Sequence, residues 1–159
     1  MQEAFSYHRT VAPMLWAIVA LAVGELLVVH LLVSLRWPAL AWPLFGLTAA
    51  SILWLVFWIR SLRSHPHRLD GDELLLSTGS LRTLRIPLAA IDLVATGWGP
   101  GEHNGRGAIN TVPLAHPNRL LRLKAPLTVR KAEYDRVALR IDDAEPFDAA
   151  MAKLGIPVR

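Results

Sequence analysis

Two long apolar stretches near the amino terminus constrain this chain more than any other feature. Pro13–Leu35 has 23 residues and Ala39–Ile59 has 21, and a helix needs about 20 residues to cross the hydrocarbon layer of a bilayer. Only Arg36–Pro38 separates them, which leaves room for a tight turn. Core helices of a soluble protein would carry a polar face, and Leu44–Ile59 has none. Residues 1–60 are therefore predicted to form an antiparallel transmembrane helical hairpin with these two stretches as its spans.

Glu25 lies near the middle of the first span, at the same depth as Thr48 and Ser51 of the second. A charged residue there costs about 2.5 to 3.5 kcal/mol, but the 13 Leu, Ile and Val of the span contribute about −4 to −8 kcal/mol, so the span still inserts. We expect Glu25 to make an intramembrane polar contact with Thr48 or Ser51. Pairing across a homo-oligomer and a proton or ion relay are the alternatives. A relay is disfavoured because His30 lies about 140° away around the helix.

The charges that flank the hairpin predict its orientation. Arg60, Arg63 and Arg68 follow the second span, whereas only Arg36 lies at the turn. By the positive-inside rule, both termini are cytoplasmic and the turn lies outside. A removable signal peptide is not expected, because the apolar stretch is too long and a second span follows at once.

The polar remainder has a different organisation. Residues 60–159 hold 15 of the 17 Lys and Arg and 11 of the 13 Asp and Glu, and the whole chain has no cysteine that could form a disulfide. Residues 61–67 are predicted to be a juxtamembrane linker. From residue 68 onward the apolar period is two, which is typical of short strands, and turn residues separate them. This pattern predicts an antiparallel β-barrel or sandwich over residues 68–159.

One helix is expected to close this β domain, at residues 143–154. Asp142 and Asp143 are predicted to cap its amino terminus. An apolar stripe follows at helical spacing, and its members are Phe147, Ala150, Met151 and Leu154. Such a short helix is only marginally stable in water by itself, so its apolar stripe is expected to pack on the sheet.

The segment LDGDELLLSTGSLRTLRIPLAAIDLV, at residues 69–94, resembles the opening of bacterial pleckstrin-homology-like (PH-like) domains. NRLLRLKAPLTV, at 118–129, and RVALRIDDAEPFDAAMAKLG, at 136–155, are similar to their later strands and closing helix. Such domains often follow a two-helix membrane hairpin. The resemblance implies a membrane-anchored α+β protein of the bacterial inner membrane, in which one C-terminal helix caps a bent seven-stranded barrel. It implies no catalytic activity.

The glycine-rich segment Gly97–Gly107 is a candidate binding loop. It is not a phosphate-binding P-loop, since no Gly-Lys-Ser/Thr follows, and it does not match the dinucleotide-binding fingerprint. His103, Asn104 and Arg106 are its candidate contact residues. The alternative interpretation is a mobile loop between strands.

Basic residues suggest contacts with anionic lipid headgroups or with a protein partner. The candidates are Arg60, Arg63, Arg68, Arg122 and Lys124.

The sequence contains no pattern typical of a metal site or a catalytic site. His65 and His67 supply only two possible metal ligands, so no metal is expected. Catalysis is not predicted, because the sequence shows no pairing of a nucleophile with a base. No cofactor or nucleic-acid partner is predicted either. The sequence thus favours a non-enzymatic interaction or scaffold module, with an accessory subunit of a membrane enzyme or transporter complex as the alternative.

Overall fold

The fold is that of a computed structural model and is described for residues 2–112 and 115–159. Its layout is α+β, with two long apolar helices near the amino terminus, two sheets and a C-terminal helix. In chain order the elements are β1 (Gln2–Phe5), α1 (Ala12–Arg36), α2 (Pro38–Ser64), β2 (His67–Asp70), β3 (Glu73–Thr78), β4 (Arg82–Pro87), a 3-10 turn (Leu88–Ala90), β5 (Ile91–Ala95), β6 (Ala108–Asn110), β7 (Arg119–Val129), β8 (Ala132–Leu139) and α3 (Ala144–Lys153).

The two long helices form a hairpin in which Trp37 alone interrupts the helical conformation. Both are long and apolar enough to cross a membrane by length and composition. Most of their large apolar side chains face outward rather than into a core of this chain, as Leu35 (77% exposed) and Trp42 (70% exposed) illustrate. The linker predicted over 61–67 is reduced to His65–Pro66, because α2 continues to Ser64.

The first sheet contains strands from both sides of the hairpin, in the order β1-β2-β3-β4. The antiparallel β1–β2 pair joins Phe5 to His67 in register, so the chain just before α1 lies beside the chain just after α2. β1 lies outside the β domain predicted over residues 68–159. Four residues are too few to display a period of two, which explains this omission.

The second sheet has the order β5-β7-β8-β6 and mixes both strand directions. β6 runs parallel to β8, which departs from the predicted all-antiparallel arrangement. β7 is continuous, with an irregularity between Arg122 and Leu127 that accommodates Pro126. The chain end adds to the free edge of β5, where the Val94 N–H donates to the Pro157 carbonyl at 2.9 Å.

The main core lies between the sheets and α3. Val137, Leu139 and Ile141 point into it, as their alternation predicts. Phe147, Ala150 and Met151 of the predicted helical stripe are buried as well, and Phe147 meets Phe5 of β1 edge to face at 5.2 Å. The stripe ends earlier than expected, because Leu154 is 44% exposed and Ile156 fills the core beyond the helix.

Candidate functional site

A group of five residues, called the junction below, holds the β domain against the hairpin: Tyr7, Ser61, His67, Gly79 and Asp142. Tyr7 is 2% exposed, and its ring stacks on His67 with centroids 4.3 Å apart. Its hydroxyl accepts a hydrogen bond of 2.7 Å from the N–H of Gly79. Burial raises the pKa of the Tyr7 hydroxyl, and the Gly79 hydrogen bond opposes that effect only in part. Tyr7 is therefore a neutral contact residue.

His67 is the buried imidazole of the junction, with 1% of its surface exposed. Its Nδ1 accepts a 3.1 Å hydrogen bond from the N–H of Ser77. Burial lowers the pKa of His67 to about 4, although a backbone hydrogen bond with Arg140 and the charge of Asp142 act in the opposite direction. The ring is therefore neutral at physiological pH, with Nδ1 as an acceptor.

The turn between β3 and β4 contacts the last turns of α2. The N–H of Ser80 donates to Ser61 Oγ at 2.9 Å, and Ser61 Oγ donates to the Trp58 carbonyl at 2.7 Å. Gly79 has a φ of +56°, and a Cβ there would lie 2.6 Å from Ser61 Oγ. Both the backbone conformation and the close approach therefore require glycine.

Asp142 ties the end of β8 to the segment that precedes α1. Its carboxylate accepts hydrogen bonds from Ser6 Oγ at 2.8 Å and from the N–H of Arg9 at 2.9 Å, and Thr10 donates two longer ones. Burial raises the pKa of this carboxyl, but the hydrogen bonds from Arg9, Ser6 and Thr10 outweigh it and lower the pKa overall. The predicted capping of α3 is thus corrected, since Asp142 binds elsewhere and Asp143 makes no side-chain capping bond.

The basic residues predicted to act together divide into two groups. Arg60 and Arg63 are exposed on the last turns of α2, and Arg68 is exposed at the start of β2. All three lie at the end of the β domain that contacts the hairpin. Arg82 joins them there, because it directly follows the turn that contacts Ser61. Arg82 is not among the basic residues predicted from the sequence, because its place beside α2 depends on the folded turn.

Arg122 and Lys124 lie away from that group. Both belong to β7 of the second sheet, where Arg122 pairs with Leu93 of β5 and with Arg136 of β8. Arg122 forms an ion pair with Glu102 at 3.0 Å, and Lys124 Nζ donates to the Ala89 carbonyl at 3.0 Å. The structure therefore does not bring these two bases together with those of α2 and β2.

The glycine-rich loop is folded against the second sheet. Trp98 packs on Ala95, Leu120 and Ala138, and its Nε1–H donates to His103 Nδ1 at 3.3 Å.

The three candidate residues of this loop do not converge. His103 and Asn104 line a shallow depression with His116, whose ring centroid lies 6.0 Å from that of His103. Asn104 Oδ1 accepts a 3.1 Å hydrogen bond from Asn110 Nδ2. Arg106 is outside the depression, and its carbonyl accepts a 2.6 Å hydrogen bond from Arg136.

The polar residues of the hairpin meet at one cavity. Glu25, His30 and Thr48 all line a space of about 160 Å³ between α1 and α2. Glu25 and His30 were expected to stay apart, but both reach the groove between the helices. Ser51 lies outside the cavity and donates to the Leu47 carbonyl of its own helix at 2.9 Å.

These features define a class of protein, namely an α+β protein with two candidate membrane-spanning helices and a β domain fixed to their ends. Within residues 2–112 and 115–159, no group of three His, Cys, Asp or Glu side chains is placed to hold a metal ion. No protein-family model matches the chain, and no curated protein or solved structure matches it.

Proposed function

We propose that this chain is a non-enzymatic integral membrane protein of the bacterial inner membrane. Its hairpin crosses the bilayer, and its PH-like β domain is a cytoplasmic protein-interaction module that also contacts anionic lipid headgroups. The observation that carries this proposal is the pairing of β1 with β2. Because these strands flank the hairpin on either side, both ends of the hairpin belong at the same face of a membrane.

The charge distribution supports a cytoplasmic position for that face. Arg60, Arg63 and Arg68 are exposed beside the joined ends of the hairpin, whereas Arg36 is the one formal charge near the Trp37 turn. Cytoplasmic flanks are enriched in Lys and Arg. Reporter fusions at residue 159 and at the Trp37 turn would test the topology. Activity of a periplasmic reporter at residue 159 would contradict the proposal.

Headgroup contact follows from how the β domain is held. The Tyr7–Gly79 and Ser61–Ser80 hydrogen bonds fix the β3–β4 turn beside α2. Leu81, which is 56% exposed, and Arg82 then lie close to the level at which α2 would leave the bilayer. Each base near an anionic surface contributes about 1 kcal/mol of attraction. The contact is therefore expected to weaken with salt.

An experiment on the full chain in lipid nanodiscs tests this contact. Since the chain has no cysteine, Leu81→Cys provides a single site for an environment-sensitive fluorophore, and Lys131→Cys on the β7–β8 turn is the distant control. We expect phosphatidylglycerol to shift the emission at residue 81 in a salt-sensitive way. Arg60→Gln combined with Arg63→Gln should reduce the shift, whereas Arg85→Gln should not. Equal responses at residues 81 and 131 would contradict the headgroup contact.

Two open strand edges supply the surface for a protein partner. β4 and β6 are edge strands of their respective sheets. Between them runs a groove that Leu81, Arg82, Asn110 and Val112 help to line. An extended segment of a partner can add to such an edge through backbone hydrogen bonds. Thr83→Pro would block addition to β4 and should abolish co-purification of that partner if the edge is its site.

A second candidate function is that of an accessory subunit of a membrane enzyme or transporter complex. The exposure of Glu25 on the outside of the hairpin, near the middle of a span, favours it. An ionisable group at that depth is costly without a polar partner. Ala17, Ala20 and Gly24 on the same helix would let another helix, including that of a second copy, approach closely. Loss of a stoichiometric partner in Glu25→Leu, after extraction in mild detergent, would support this alternative.

A further inference from the structure

The cavity between α1 and α2 has a polar group that the chain leaves without a partner. His30 Nδ1 is buried, and among the described residues it has no hydrogen-bond partner. An unmade hydrogen bond on a buried polar atom costs about 1 to 3 kcal/mol. The cavity that His30 lines, of about 160 Å³, offers space for a molecule that would supply this bond.

The walls of the cavity indicate the kind of molecule it accepts. Apart from Glu25, His30 and Thr48, its lining is apolar. Besides His30, the lining has one aromatic residue, Phe45, whose ring centroid lies 4.8 Å from that of His30. Trp42 is not part of the lining, although its ring centroid is 5.3 Å from that of His30. An apolar cavity of about 150 Å³ in another protein accommodates benzene. The space therefore fits a single six-membered ring.

The polar groups are spaced to reach two sides of such a ring. Glu25 and His30 are five positions apart on α1, which is about 7.5 Å along the helix axis. Glu25 and Thr48 are exposed on the outside of the hairpin, so the cavity is open laterally. In an inserted hairpin, a ligand would enter from the hydrocarbon layer. Acyl chains reach that depth but carry no hydrogen-bonding group, and charged headgroups do not reach it.

We propose that this cavity binds a membrane-soluble ring compound with hydrogen-bonding oxygens on opposite sides, the chemistry of a quinone or quinol headgroup. His30 and Glu25 are its polar partners, and Phe45 packs against the ring. The inference rests on the proposed membrane insertion but not on the proposed role of the β domain.

Photoaffinity labelling of the full chain in phosphatidylcholine nanodiscs tests the proposal. The probe is an azido-benzoquinone with a short isoprenoid tail, and the competitors are ubiquinone-1 and butylbenzene. We expect saturable labelling that maps within residues 22–48. Ubiquinone-1 should displace the probe at about tenfold lower concentration than butylbenzene, the difference that one or two hydrogen bonds in a dry site would give.

Two kinds of variant separate the cavity from the rest of the hairpin. Ala22→Leu fills the cavity and should reduce labelling at least tenfold, whereas Ala50→Leu makes the same change at an exposed position of α2 outside it. His30→Phe keeps a ring of similar size, removes the hydrogen bond, and should weaken binding about tenfold.

Labelling that does not saturate, equal labelling of the two alanine variants, or equal competition by butylbenzene would overturn the proposal. Protease protection of the hairpin in the same samples distinguishes this failure from a failure of insertion. A protected hairpin without saturable labelling refutes the ligand site alone.

Discussion

The ring of Tyr7 stacks on the imidazole of His67 with centroids 4.3 Å apart and planes within 10° of parallel. Tyr7 precedes the hairpin and His67 follows it, so this pair closes a loop that contains both long helices. Together with the Asp142 hydrogen bonds, it makes the hairpin and the β domain one structural unit. Substitutions at the junction should therefore change the stability of both parts.

Tyr7→Phe should destabilise the protein by about 1 to 2 kcal/mol, because the buried N–H of Gly79 loses its acceptor while the ring remains. The free energy of unfolding in detergent, followed by circular dichroism, measures this. Tyr134→Phe is the matched control, since the half-buried Tyr134 packs against the core and is outside the junction. Equal effects of the two substitutions would show that the Tyr7 hydroxyl has no special role.

Stability should fall as the pH decreases from about 6.5 to about 4 because of His67. Its pKa is about 4 in the folded chain and about 6.5 when unfolded, so in this range only the unfolded state binds the proton. At about pH 4 the free energy of unfolding should be about 3 kcal/mol lower than above pH 6.5.

The measurement compares unfolding free energies across this pH range in three proteins. His67→Phe should lack this dependence, though it is less stable at pH 7 because Ser77 loses its acceptor. His65→Phe, at an exposed position, should keep the pH dependence of the original chain. An unchanged slope in His67→Phe would assign the effect to another group.

Gly79→Ala should be more damaging than Gly71→Ala, although the two glycines have nearly the same φ, +56° and +58°. Left-handed backbone costs an alanine about 1 to 2 kcal/mol at either position. At Gly79 the new Cβ also lies 2.6 Å from Ser61 Oγ and 3.0 Å from Leu62, whereas at Gly71 nothing lies within 4 Å. We expect a further loss of at least 1 kcal/mol at Gly79, and similar melting temperatures for the two variants would contradict this.

Asp142→Ala should destabilise the protein by about 2 kcal/mol, since four hydrogen-bond donors before α1 lose a charged acceptor. Asp143→Ala is the control, because its ion pair with Arg9 is 3.5 Å long and both side chains are about 70% exposed. Such surface pairs contribute little. Faster proteolysis near Arg9 in Asp142→Ala, but not in Asp143→Ala, would show that the segment has detached.

Asp142 also has a characteristic pH window. Folding lowers the pKa of the Asp142 carboxyl below the ordinary Asp value of about 4. Asp142 therefore stabilises the folded chain above about pH 4, and this stabilisation is lost as the pH falls further. This window lies on the acid side of that of His67. Unfolding curves of Asp142→Ala should therefore differ from those of the original chain mainly above pH 4.

Much of the secondary structure is readable from the sequence. The period of two that begins at residue 68 coincides with the start of a run of strands, β2 to β8, and the helix predicted at 143–154 differs by one residue at each end. The helical hairpin has the expected turn, around Trp37. These elements have long or regular apolar patterns, which local sequence reports well. β1 and β6, with four and three residues, are too short to show a pattern.

The candidate sites are less readable. The sequence predicts that Glu25 and Thr48 lie at the same depth in the hairpin, and in the structure both line the same cavity. The sequence also groups Arg122 and Lys124 with the bases near the hairpin, whereas in the structure their partners are Glu102 and the Ala89 carbonyl. Tyr7, His67 and Asp142 carry no local signal, because their partners are distant along the chain.

The sequence by itself determined the two apolar helices, their antiparallel order and most strands, because hydropathy and period are properties of neighbouring residues. Tertiary structure decided which segments meet: β1 with β2, Tyr7 with a glycine 72 positions away, and Ser6 with a carboxylate 136 positions away. Such contacts form only when the chain closes on itself, since each depends on the simultaneous placement of both hairpin ends and both sheets.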